Sequence, residues 1–160
     1  MTVTVRQATS DDWQTVRDIR LAALQEAPYA FGSTYARERD FDEDTWRDRL
    51  SNPDGPTFLA FDGDDAVGID GVSTEGGDRI LVAMWVAPHA RRAGVGAALT
   101  NAVCDWVRKQ GDTRVYLGVA EDNDPARRLY ERLGFRMTGK SAPLHSDPTR
   151  RSLEMALDLY

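Results

Sequence analysis

The chain has 160 residues, 41% hydrophobic and 29% charged, the profile of one folded domain over 1–160 with enough apolar residues for a core. Disorder, collagen and helical membrane classes are excluded, since no apolar run approaches the ~18 residues of a spanning helix, and the start Met1-Thr2-Val3-Thr4-Val5-Arg6 lacks signal-peptide layout. A formal net charge of -6 disfavours a nucleic-acid backbone binder, and the single cysteine, Cys104, rules out an internal disulfide or a cysteine zinc site. The expected setting is the cytoplasm, with neither membrane nor nucleic acid as partner; a homodimer is compatible with this reading.

Thr2 to Arg6 alternates as a strand. Thr9-Ser10-Asp11-Asp12 then supplies cap residues ahead of an apolar helical stripe, Trp13, Val16, Ile19, Ala23 and Leu24. Pro28 stops that helix, a loop runs through Phe31 to Tyr35, and a short helix capped by Asp42 carries Trp46 and Leu50. Thr57 to Phe61 and Ala66 to Ser73 read as a hairpin around Asp62-Gly63-Asp64-Asp65. Ile80 to Val86 is nearly all apolar, as a central strand covered on both faces would be. Leu99, Ala102, Val103 and Trp106 continue as a helix until Gly111, followed by a strand, Val115 to Val119. Asp124 and Pro125 open a last helix closed by Gly134, and Phe135 to Thr138 and Leu153 to Leu159 are strands on either side of a polar loop.

The central strand runs into Val86-Ala87-Pro88-His89-Ala90-Arg91-Arg92-Ala93-Gly94-Val95-Gly96-Ala97, which opens a helix. A helix start exposes unpaired N–H groups and the positive end of the dipole, and glycines let an anion approach that backbone. Arg91 and Arg92 add fork-shaped cationic donors suited to a pyrophosphate. The plainer reading is a glycine turn with solvated arginines. A Rossmann loop fails because its third small position is Leu99, and a P-loop fails because no Lys-Ser/Thr pair follows the glycines.

Arg91, Gly94 and Gly96 resemble the acetyl-CoA-binding motif of the GNAT superfamily of N-acetyltransferases. Asn123, Ala126, Leu129, Tyr130, Glu131, Gly134 and Phe135 resemble its second signature. The resemblance implies an α/β fold with a mixed, mostly antiparallel sheet flanked by helices. It implies acetyl-CoA as co-substrate, with no metal, and a small amine or peptide N-terminus as acceptor. The backbone of Trp85 and Val86 would bond the pantetheine arm, and the N–H groups of Arg91, Arg92, Ala93, Gly94, Val95, Gly96 and Ala97 would hold the pyrophosphate. Asn123 would touch the cofactor or place the acceptor, and Tyr130 would protonate the leaving thiolate.

Read from the residues alone, Tyr130 with Leu129 and Leu133 fits core packing as well as catalysis, and Asn123 fits a loop residue that satisfies nearby backbone. His89 and His145 read as solvated. The acidic runs Asp40 to Asp44, Asp62 to Asp65 and Glu121 to Asp124 read as caps and turns. Many members of the superfamily carry a glutamate in the strand before the motif, but Ile80-Leu81-Val82-Ala83-Met84-Trp85 has no acid. That leaves Glu38, Asp70, Glu121 or ordered water to take the amine proton. The acidic balance together with Trp46, Trp85 and Tyr35 suggests a cationic amine. A non-catalytic acetyl-CoA sensor of the same fold is the alternative.

Overall fold

The computed structural model describes residues 1–159. In chain order it contains β1 (Val3–Gln7), α1 (Trp13–Glu26), the one-turn α2 (Tyr35–Glu38), α3 (Glu43–Leu50), β2 (Thr57–Asp62), β3 (Asp65–Glu75) and β4 (Asp78–Val86). Then come α4 (Val95–Lys109), β5 (Arg114–Ala120), α5 (Asp124–Arg132), β6 (Arg136–Leu144) and β7 (Asp147–Asp158). The strands form one sheet in the order β1-β2-β3-β4-β5-β7-β6. Every neighbouring pair is antiparallel except β4 and β5. This is the mixed, mostly antiparallel sheet that the sequence implies.

Short polar side chains begin the helices. Asp12 accepts from the Thr9 N–H at 2.8 Å and is forked by Arg6, Asp42 accepts from the Thr45 N–H at 2.9 Å, and the Asn123 carbonyl accepts from the Ala126 N–H at 3.3 Å. Asp42 and Asn123 each pair a donor that the first helical turn leaves free, whereas Asp12 reaches back to the chain ahead of α1. Gly134, at φ +101°, closes α5 in the left-handed conformation that favours glycine.

The helices bury opposite faces of the sheet. On one, Val95, Leu99, Val103 and Val107 of α4 join Phe58, Ala60, Leu81, Val115 and Leu117. On the other, Val16, Ile19 and Leu24 of α1 and Trp46 of α3 join Leu59, Ile69 and Trp85. At about 1.5–3 kcal/mol for each large apolar side chain, these two layers supply most of the driving force for folding. The approach of α4 is close: a Cβ on Gly68 would sit 2.9 Å from both Val95 and Leu99. No described helix is long and apolar enough to cross a membrane.

Two departures from the expected elements matter. The stretch expected as a polar loop between the last two strands is itself a hairpin, with Ser141, Ala142 and Pro143 paired to Leu153, Ser152 and Arg151. Residue 83 breaks β4: Ile69 faces Trp85 and Gly71 faces Val82, so Asp70 opposes both Ala83 and Met84. Ala83 adopts φ +57° to make this bulge, a conformation unfavourable for any residue with a Cβ.

Candidate functional site

The bulge turns β4 away from its parallel neighbour. Pairing with β5 covers only Ile80 with Tyr116 and Leu81 with Leu117, and beyond it the two strands separate. The gap opens into a cleft of about 1190 Å³, whose walls include Ile80 to Met84, Leu117 to Ala120, Asn123 and Tyr130. A sheet opened between parallel strands presents unpaired peptide groups to whatever lies in the gap.

Alternation along β4 identifies those groups. The Ala87 N–H donates to the Val67 carbonyl at 2.8 Å, so Val86 faces away from β3, toward the gap, while Trp85 turns back to pair with Ile69. The expectation that Trp85 offers its backbone to a ligand is therefore corrected. Its peptide belongs to the β3 ladder, and its indole N–H donates to Glu26 at 2.8 Å. The Val86 carbonyl accepts from Arg91 Nε at 3.1 Å, which leaves the Val86 N–H for the gap.

The loop from Pro88 to Gly94 ends at the start of α4. The first helical bond there is from the Ala98 N–H to the Gly94 carbonyl, at 3.0 Å. The N–H groups of Val95, Gly96 and Ala97 precede it, and no side chain caps them. Gly94 sits at φ +79° with open space where a Cβ would project, and Arg92 and Ala93 beside it are exposed. This is a cradle with donors and no obstruction. Gly96 has a second role besides offering its N–H, since its Cβ position lies 2.9 Å from Leu129 Cδ2 and its smallness lets α5 pack on α4. The Arg91 N–H is taken by the Pro88 carbonyl, and its side chain by Glu26 and Val86. Arg91 therefore braces the loop, with Nε and Nη2 of its guanidinium engaged by Val86 and Glu26.

Tyr130 projects from α5 into the cleft wall, 5% exposed, with its ring edge-on to Phe135 at 5.7 Å. Burial first, and then the nearby Asp70 charge, push its phenol above the ordinary value, so it stays protonated. Among the described residues its hydroxyl has no hydrogen-bond partner.

Residues 13–135 match the family described as "Acetyltransferase (GNAT) family". The chain belongs to the GNAT acetyltransferase family. It is 29% identical to a phosphinothricin N-acetyltransferase of Streptomyces coelicolor over 147 residues, 86% of this chain and 84% of that protein. It is 33% identical to a streptothricin acetyltransferase of Streptomyces lavendulae over 95 residues, 58% of this chain and 50% of that one. A Salmonella typhimurium protein solved with its cofactor acetyl-CoA shares the fold, with a TM-score of 0.77 at 19% identity over 100% of this chain and 95% of that one. The chain spans 28% of a mycothiol acetyltransferase of Geodermatophilus obscurus, 50% of the streptothricin protein and 30% of an N-acetyltransferase of Streptomyces griseus.

Within this GNAT domain the three carboxylates considered as bases do not reach the cleft. Glu38 is fully buried, bonded by Arg20 at 2.6 and 3.0 Å and by Arg49 at 3.2 Å. Burial acts to raise its pKa, but the bonds from Arg20 and Ser33 and the charges of Arg20 and Arg49 outweigh it and hold it at about 2. Such a carboxylate is an anchor and a very weak base. Asp70 is 1% exposed on β3, both oxygens lack partners, and burial pushes its pKa well up. Glu121 accepts from the Arg151 N–H at 3.3 Å, outside the cleft wall. Titratable side chains that do line the cleft are Asp122, paired with Arg150, together with Glu75, His145 and a group of arginines. No sequence signal pointed to these, because they come from α1, α2, α3, β3, β7 and the loops after β5 and β6, and only the tertiary fold brings them together.

Proposed function

We propose that the protein is an N-acetyltransferase that moves the acetyl group of acetyl-CoA to a primary amine by direct attack while both are bound. The observation that carries this reading is the opening between β4 and β5, with the free Val86 N–H on one side, buried Tyr130 on the other, and an uncapped helix start beyond. The N–H groups of Val95, Gly96 and Ala97 and the exposed Arg92-Ala93-Gly94 turn would hold the pyrophosphate. The Val86 N–H would accept the pantetheine arm as an added strand.

The amine nitrogen forms a bond to the thioester carbonyl carbon, and the carbon–sulfur bond breaks. The amine loses its proton to water in the open cleft, because Glu38, Asp70 and Glu121 stand outside the cleft wall. Tyr130, protonated throughout the neutral range, gives its phenolic proton to the departing sulfur. Asn123, whose oxygen caps α5, keeps its amide nitrogen at the cleft wall to orient either substrate.

The test is release of free CoA thiol from acetyl-CoA across an amine library, with acetyl-CoA binding followed by thermal shift. Release that depends on the amine supports the enzyme. Acetyl-CoA binding without release on any amine would make this a sensor of the same fold.

A further inference from the structure

The acceptor end of the cleft carries charge opposite to that of the chain as a whole. Its walls include Arg20, Arg37, Arg49, Arg150 and His145, against only Glu75 and Asp122. Arg150 and Asp122 pair with each other. Of the other three guanidiniums, two hold one buried carboxylate, Glu38, Arg20 with two nitrogens and Arg49 with one, and Arg37 stands close enough for its charge to act on Arg49. Arg37 is anchored only to the Ser33 hydroxyl, at 3.0 Å, with its ring-facing side over Phe41, and no carboxylate pairs with it among the described residues.

Three guanidiniums about one carboxylate leave an excess of positive charge. Arg49 registers it: burial first, then the charge of Arg20, push its pKa below the ordinary value, with Arg37 acting in the same direction. Such a cluster repels a cation and offers forked donors to an oxyanion.

The position of the cluster identifies which ligand supplies that anion. Arg20 and Arg49 belong to α1 and α3, which cover the sheet face opposite α4, whereas the phosphate cradle lies at the start of α4. The donor's phosphates and the arginine cluster are thus on different faces of the sheet. Over this end, the turn between β6 and β7 docks onto the segment after α1. The Ser146 hydroxyl donates to the Tyr29 carbonyl at 3.2 Å, the Arg150 guanidinium lies 5.4 Å from the Tyr29 ring centre, and His145 packs on Gly32. That bridge roofs the cleft and suits a small acceptor over a folded protein.

We propose that Arg37 and Arg49, seated on the Arg20–Glu38 pair, read an oxyanion carried by the acceptor itself, so that the substrate is a small amino acid-like molecule bearing an amine and a carboxylate or similar group. This deepens the acetyl-transfer reading and rests on it. It also replaces the cationic acceptor suggested by the overall composition, because local charge at the binding end outweighs net charge on the far surface once separation exceeds a Debye length of about 8 Å at physiological salt.

The test compares amino acids with their carboxamides, which keep shape and amine but lose the anion, as acceptors in the CoA-release assay. The acids should show kcat/KM about 10-fold higher or more, the range expected for a hydrogen-bonded charge pair. Arg37→Gln and Arg49→Gln should each cut that advantage to about 3-fold or less, and Arg37→Glu should invert it. Carboxamides equal to or better than the acids, or acidic peptides preferred over free amino acids, would overturn the proposal. A second arm needs no turnover: N-acetyl amino acids and their N-acetyl carboxamides are titrated calorimetrically against the CoA-bound protein. Tighter binding of the acids, weakened by Arg37→Gln, supports the oxyanion site even if no amine is acetylated, a result that would sink only the acetyl-transfer reading. Equal binding, or binding of neither, would overturn the oxyanion site.

Discussion

Arg91 lies across from Glu26, its Nη2 3.0 Å from both carboxylate oxygens, while its Nε bonds the Val86 carbonyl at 3.1 Å. The end of α1, the end of β4 and the loop before α4 are thereby tied at one guanidinium, and the Trp85 indole completes the knot on the same carboxylate. If Arg91 acts by bracing, Glu26→Ala and Arg91→Ala should weaken acetyl-CoA binding by a similar few-fold factor. The double variant should be little worse than either single one, with a coupling under about 1 kcal/mol for so exposed a pair. A loss in Arg91→Ala that Glu26→Ala does not reproduce would mean that Arg91 meets the phosphates directly.

The two glycines of the motif should fail differently. At Gly94, φ +79° with open space beyond, Gly94→Ala carries a strain of about 1 kcal/mol and puts a methyl group in the cradle, so acetyl-CoA binding should suffer more than stability. Gly96→Val drives a branched side chain into Leu129 and should cost about 1–3 kcal/mol of stability. Leu129→Ala should restore part of that loss in chemical denaturation. Failure of this rescue, with acetyl-CoA affinity gone, would mean that the substitution acts at the phosphate site and not through Leu129.

Apolar periodicity made most of the fold legible, because α1, α4 and β2 to β5 each bury one or both faces and the burial writes itself into residue choice. The β6–β7 hairpin left no such trace: β6 is exposed along almost its whole length, so Lys140 to Arg151 reads as a polar loop. The bulge was illegible for another reason. Alanine has no preference for positive φ, so nothing at Ala83 announces it, yet it decides that Val86 and not Trp85 faces the gap. The glycine-arginine loop, Asn123 and Tyr130 stood out by motif; the arginines over the acceptor end did not, since surface arginines are common and their convergence is a product of three separate elements.

Glu38 and Asp70 should bend the pH dependence of stability in opposite directions. The Glu38 carboxyl falls from 4.5 to about 2 on folding, so its contribution is complete above the unfolded value and is lost as pH falls through about 2. At about 1.4 kcal/mol per pK unit this is roughly 3 kcal/mol, and Glu38→Gln should destabilise at neutrality and flatten the acid limb. The Asp70 carboxyl is raised, so stability is complete below about 3.8 and is lost as pH climbs toward its folded value. Asp70→Asn should remove that decline in urea unfolding between pH 4 and 8. A slope that persists in the variant would show that Asp70 is not the group responsible.

Cys104 is 3% exposed on the buried face of α4, and burial pushes its thiol up to about 11. A thiol reagent at neutral pH should leave the folded protein unmodified and react with one thiol per chain once it is unfolded. Labelling of the folded protein at the unfolded chain's rate would mean that α4 lifts from the sheet on the timescale of the reaction.

Tyr130→Phe separates packing from chemistry, because it removes one oxygen from a side chain whose ring contributes to the core beside Phe135. The phenol has no hydrogen-bond partner among the described residues, so stability should change by no more than about 1 kcal/mol, and the T-shaped contact should survive. Acetyl-CoA binding should stay within a few-fold, since the donors assigned to the pyrophosphate and pantetheine are backbone groups of other elements. Turnover should fall by about 10²-fold if protonation of the departing sulfur limits the rate. Acyl donors with a more acidic thiol should recover much of that loss, because such a group departs without the proton. An unchanged rate with chemistry shown to be limiting would leave Tyr130 as core alone and assign the sulfur's proton to water in the cleft.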